Sequence, residues 1–192
     1  MMNKIRSIGV VFCAVLGFSV LTTASADPQS TGQEGDQYEY CATLVSRSTV
    51  EGEGSPVLAR ACSTVSHEDA RTNMLQVEQQ ERAKAGLGAQ DNTTRSSDLL
   101  MTWFEEADYG GDREDIYGSD GPCDSAGYEF HPDTLFPWQW GNVISSAAGT
   151  ETCDMADFIT QSGTYAQTFN LPVPFLGQTL NDNVGIIRTW ND

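Results

Sequence analysis

From Asp98 to the C-terminus the sequence keeps one cadence: short apolar runs broken by Gly, Asp, Asn and Ser about every ten residues. Runs this short cannot carry the 3.6-residue periodicity of a packed helix, but they suit strands joined by tight turns. The stretches 99–104, 115–118, 127–130, 143–147, 155–159, 166–171 and 185–190 read as strands. All four Trp (Trp103, Trp138, Trp140, Trp190) and all but two of the eight Phe fall here. The prediction for 98–192 is one all-β domain, a small sandwich or barrel with enough residues for a single core.

The first 97 residues have a different texture. A basic start with Lys4 and Arg6, an apolar run from Ile8 to Leu21, and Ala24-Ser25-Ala26 make residues 1–26 a secretory signal peptide. The apolar run is shorter than the roughly 20 residues of a membrane-spanning helix. Residues 27–97 form an N-terminal extension. It holds extended stretches at 38–45 and 57–65, a turn at 51–56, a helix near 67–85 capped by Ser66, and a polar linker at 86–97. Asn92-Thr93-Thr94 in that linker is a glycosylation sequon.

Of five Cys, Cys13 lies in the leader, which leaves Cys41, Cys62, Cys123 and Cys153. An even count in an exported chain argues for two disulfides, and four thiols allow three connectivities. Sequential pairing, Cys41–Cys62 and Cys123–Cys153, is the expectation and places one bridge in each half. A zinc site of four thiolates lacks any C-x-x-C pair.

The chain carries 27 Asp+Glu against 10 Lys+Arg, a formal charge of −17. Loss of Lys4 and Arg6 with the leader leaves 8 bases against those 27 acids, a charge of −19. Nucleic acid and anionic membranes are excluded as partners, because both require clustered Lys and Arg. With His67 and His131 the only histidines, no catalytic triad or paired-His metal motif can be assembled, and the chain reads as non-enzymatic. A secreted, soluble monomer is expected.

The β half repeats itself. A segment at 104–111, Phe-Glu-Glu-Ala-Asp-Tyr-Gly-Gly, precedes Trp140-Gly141-Asn142-Val143-Ile144-Ser145-Ser146. A segment at 158–165, Phe-Ile-Thr-Gln-Ser-Gly-Thr-Tyr, precedes Leu180-Asn181-Asp182-Asn183-Val184-Gly185-Ile186. This order of aromatic hairpin, polar loop, aromatic hairpin, polar loop resembles the βγ-crystallin superfamily. That family's units pair an aromatic–x6–Gly hairpin with an (N/D)(N/D)xx(S/T)S loop. The first hairpin matches through Gly111, while the second has Tyr165 where Gly is required. The first loop keeps Asn142, Ser145 and Ser146 but has Gly141 first, and the second keeps Asn181 and Asp182 but has Gly185 and Ile186 last.

The resemblance covers about 98–192 and implies a double Greek-key sandwich whose paired loops bind Ca²⁺. The ligand residues it implies are Asn142, Ser145, Asn181 and Asp182. Ca²⁺ takes six to eight oxygens, and such loops offer amide, hydroxyl and backbone oxygens. Gly185 has none on its side chain, so one site, weak and on the first loop, is expected. Gly185→Ser is expected to restore the second if the backbone allows a side chain there. Two alternatives remain in view. One is a secreted peptidase inhibitor, a related fold, acting through a rigid aromatic loop at 131–140 with Phe136, Trp138 and Trp140, although Trp140 and Trp190 read first as core aromatics. The other is a killer-type toxin of the same fold, which the acidic charge disfavours.

Overall fold

The computed structural model describes residues 39–50, 52–87, 97–134 and 140–192. The leader at 1–26, the sequon at Asn92, and the loop residues Phe136 and Trp138 lie outside the described residues. Nine strands and one long helix make up the described chain: β1 (Tyr40–Val45), β2 (Val57–Ser63), α1 (His67–Lys84), β3 (Asp98–Phe104), β4 (Arg113–Gly118), β5 (Tyr128–Phe130), β6 (Ser146–Gly149), β7 (Met155–Thr160), β8 (Ala166–Asn170) and β9 (Val184–Trp190). They build a five-stranded sheet, β2-β1-β4-β3-β6, and a four-stranded sheet, β5-β9-β7-β8.

The strand order defines a double Greek key. The first unit runs β3, β4, β5, β6, but β5 leaves its own sheet and pairs antiparallel with β9. The second unit runs β7, β8, a short segment at Val173, then β9. Val173 crosses the other way and exchanges two hydrogen bonds with Ala147 of β6, 3.0 and 2.8 Å. Each unit therefore lends its third element to the other's sheet. The core between the sheets contains Trp103, Ile116, Phe130, Trp140, Ile144, Phe158 and Ile187.

Successive β4 residues point to opposite faces. Ile116 belongs to the core between the sheets, while Tyr117 belongs to a second cluster with Ala42, Leu44, Ala59, Ala70 and Met74. That second cluster lies under α1. The helix begins where the sequence signals it, with the Ser66 hydroxyl accepting from the Asp69 amide at 3.1 Å. Only Ala70 and Met74 of its 18 residues are buried, matching its narrow apolar stripe.

Both disulfides pair sequentially, Cys41–Cys62 and Cys123–Cys153. The first joins directly opposed residues of β1 and β2. The second ties the β4–β5 loop to the turn before β7, and so links the two Greek-key units.

The expected division at 97/98 falls inside one compact unit, residues 36–192. β1 runs parallel to β4, Tyr40 opposite Arg113 and Val45 opposite Gly118. Glu114 of β4, fully buried, is held by Arg60 of β2 (Nη2–Oε2 2.6 Å) and accepts from the Thr43 hydroxyl of β1. The sequence hides this because pairing across some 70 residues leaves no local pattern, and Glu114 reads as a surface acid. The strand expected at 143–147 begins instead at Ser146, after a short 3-10 turn, Trp140–Asn142. Trp140 is not at the tip of a binding loop. It is 4% exposed, edge-on to Trp103 at 6.3 Å, because an indole this large is worth most inside the core.

Candidate metal centre

The two polar loops are joined backbone to backbone. The Asp182 amide, in the left-handed region at φ 56°, donates to the Ile144 carbonyl at 3.2 Å. Asn142 is exposed, and its Oδ1 accepts from Gln161 Nε2 at 2.8 Å. Gln161 sits in the turn between β7 and β8, and its own amide donates to Asn183 O at 3.2 Å. The first unit's loop thus meets both the loop and the turn of the second. Gln161 is a contact the sequence reading missed, since a turn glutamine carries no motif signal.

Two neighbouring hydroxyls divide two tasks. Ser146, fully buried, donates to Glu106 O at 2.6 Å and accepts from the Tyr109 amide at 3.1 Å, latching the first hairpin. Ser145 is 6% exposed, and only its backbone is engaged: its amide donates to Phe104 O at 2.9 Å and its carbonyl accepts from Leu176 N at 2.9 Å. Its hydroxyl has no hydrogen bond among the described residues. The hydroxyl oxygen is not sealed from solvent, so water or a ligand can reach it.

Asn181 Nδ2 donates to Asp182 Oδ2 at 2.6 Å, and Asp182 is exposed. Both departures from the loop pattern are packing requirements. A Cβ at Gly141 would stand 2.3 Å from Val184 O and 2.4 Å from Asp133 Oδ1. One at Gly185 would stand 2.6 Å from Gln161 Cα, which is backbone that cannot step aside. The Gly185 backbone is not in the left-handed region, so angles would permit a side chain there, but the space does not. Gly185→Ser is therefore corrected from a repair to a clash.

The side chains at the first loop, Asn142 and Ser145 with Gln161 beside them, carry amide and hydroxyl groups and no thiolate or imidazole. A separate trio, Glu39, Cys41 and Cys62, has its ligand atoms within 4.8 Å of one another. Its sulfurs are joined to each other and offer no thiolate. Burial raises the Glu39 carboxyl above its ordinary 4.5; Arg60 opposes this, and Asp112 and Glu114 add to it.

The chain has similar counterparts among solved structures. It is similar to a βγ-crystallin domain from Clostridium beijerinckii, 14% identical with a TM-score of 0.36, over 47% of this chain and 97% of that one. A βγ-crystallin domain from Flavobacterium johnsoniae is 18% identical with a TM-score of 0.36, over 48% and 96%. A double mutant of clostrillin in complex with nickel is 13% identical with a TM-score of 0.38, over 49% and 100%. No protein-family model and no curated protein matches the sequence.

Proposed function

We propose that this is a secreted, non-enzymatic βγ-crystallin-type module that binds one Ca²⁺ ion at the contact between its two polar loops. The observation that carries the reading is the contact between the two loops, where Asp182 N donates to Ile144 O and Gln161 Nε2 to Asn142 Oδ1, beside a Ser145 hydroxyl that has no hydrogen bond among the described residues. Two disulfides support an extracellular setting. Among the described residues no helix is long and apolar enough to cross a membrane. Both histidines are committed to packing or pairing. His67 lies edge-on to Tyr40 at 4.5 Å, and His131 stands 2.9 Å from Glu129. Capture of a secreted peptidase through 131–140 has less support, because Trp140 belongs to the core.

Thermal melts with Ca²⁺ and with EDTA test the reading. A ligand bound only by the native state adds roughly 2.7 kcal/mol at a hundredfold excess over Kd. That corresponds to about 5–10 °C for a domain of this size. Ser145→Ala should abolish the shift and leave the EDTA melt unchanged. Identical wild-type melts in both buffers would overturn the reading.

A further inference from the structure

We infer that the groove between the β1–β2 connection and the outer face of the four-stranded sheet binds a neutral saccharide, with Trp190 as its stacking platform and Arg188 and Asp157 reading its hydroxyls. The groove shares no residue with the two polar loops and does not depend on Ca²⁺. Strand alternation builds its floor. Tyr128, Phe130, Ala156, Phe158 and Ile187 enter the core, so the residues between them point outward. The register sets Glu129, Arg188 and Asp157 side by side across β5, β9 and β7, with Thr168 of β8 beyond them. Trp190, two residues along β9, shares that outward face and is partly exposed. A Cβ at Gly127 would stand 3.1 Å from the Trp190 Cβ, so the neighbouring position has no side chain to cover the indole.

The wall comes from the N-terminal extension, which is pinned at both ends of the connection. Ser55 N donates to Glu129 O at 2.7 Å, and Glu129 N donates to Ser55 Oγ at 3.3 Å. Arg47 donates to Asp124 Oδ2 at 2.5 Å and to Pro122 O at 2.7 Å. Between these anchors Ser48 and Glu53 line a cavity of about 440 Å³. Small-molecule sites run from about 300 to 1,000 Å³.

The lining chemistry selects the ligand. Arg188 Nε donates to Glu129 Oε2 at 2.7 Å, which fixes the guanidinium, and its two Nη groups have no hydrogen bond among the described residues. Asp157 Oδ1 accepts from the Thr168 hydroxyl at 2.5 Å, and its other oxygen has no partner among the described residues. Planar groups already held in place, with donors and acceptors to spare, match the neighbouring hydroxyls of a sugar, each of which both donates and accepts. The indole adds an apolar face for the C–H surface of the sugar ring. Charge disfavours the other small ligands. Glu53, Glu129 and Asp157 outnumber Arg188 and repel a phosphate or carboxylate, while Arg188 at the middle of the row opposes a cation. A ligand rich in hydroxyls and without formal charge meets both conditions.

The test titrates the full mature chain with neutral disaccharides, namely cellobiose, maltose and N,N′-diacetylchitobiose, and follows the indole N–H signal of Trp190 by NMR. Saturable binding of at least one is expected, with a Kd of about 1 mM or tighter. Trp190→Ala and Asp157→Asn should each weaken it by about tenfold or more, the worth of one lost recognition group. Asp157→Asn keeps the shape of the side chain and should leave the thermal melt unchanged, which separates a lost ligand contact from a lost fold. If no disaccharide moves the Trp190 signal, or if both variants bind as wild type does, the inference fails. Preference for glucose 6-phosphate or for lysine methyl ester over the disaccharides would also overturn it, since the charges lining the groove should refuse both.

Discussion

The two Greek-key units share a topology and differ in how they turn. The first joins β3 to β4 through a long folded hairpin. Asp108, Tyr109 and Gly111 take left-handed φ values of 55°, 66° and 75°, and Tyr109 packs edge-on to Phe104 at 5.5 Å. Left-handed backbone is costly for Asp and Tyr, so the hairpin must be held in place, and Ser146 holds it. The second unit uses a tight turn in which Thr160 N donates to Tyr165 O at 2.9 Å and only Gly163 is left-handed. This turn closes on itself, the Thr160 hydroxyl accepting from Tyr165 N at 3.2 Å, and Ile186 stands where the first unit has Ser146. Strand exchange therefore fixes the architecture, while each unit secures its turn differently, the first by a loop hydroxyl from a distant segment and the second by Thr160 within the turn itself.

The contrast can be broken most forcefully at the bridge between the units. Replacing Cys123 and Cys153 with Ala opens a loop of 30 residues. The expected loss is about 3–4 kcal/mol in chemical denaturation, against a predicted smaller, more local effect at Cys41–Cys62, whose strands are already paired. An equal loss at both sites would deny the bridge its role between units. Next in size is the asymmetry at the latch. Ser146→Ala should cost about 1–3 kcal/mol by removing two part-buried hydrogen bonds at once. In hydrogen exchange the Tyr109 amide should lose protection while the 160–165 turn keeps its own. Loss of protection in both turns would mean that the units are not independent.

Gly185→Ser sharpens the comparison from the other side. Overpacking against Gln161 should destabilise by about 1–3 kcal/mol with no gain in Ca²⁺ stoichiometry. A second bound ion would show that the turn can yield. The smallest effect concerns Glu129, a first-unit residue that pairs with second-unit Arg188 at 2.7 Å. Burial raises its pKa, but the hydrogen bonds from His131 and Arg188 outweigh that and hold it below the ordinary 4.5. A depressed folded pKa means stability present above about pH 4.5 and lost as pH falls through the folded value. Arg188 is half exposed, so the loss should be under about 1 kcal/mol. Glu129→Gln should flatten the stability profile in that acid range, and an unaltered profile would remove the pair from the account.

The strands of the β half, the helix cap at Ser66 and both disulfides were legible in the sequence because each has a local signature: alternation, a capping residue, a cysteine count. The paired loops were legible as motifs. What escaped was everything made by distant partners. Asp133 faces Gly141, and Gln161 faces Asn142, through backbone positions that carry no pattern of their own. Trp140 reads as a core aromatic and the structure buries it, so it falls away from the aromatic loop of which it was an alternative member. Gly185 was misread because a glycine in sequence announces freedom of angle and says nothing about the backbone pressed against it.

The parallel seating of β1 beside β4 bears on the order in which the molecule assembles. Tyr40 and Arg113 are direct partners although 73 positions apart in the chain, and β2 can dock only through β1. The β1–β2 hairpin, with its own disulfide, can close early and locally. Its place in the sheet does not exist until β4 has been made and paired with β3. High contact order of this kind slows folding. Of the described strands, the first to be synthesised is among the last to find its place, so kinetic traps should collect with the Greek keys formed and the hairpin adrift.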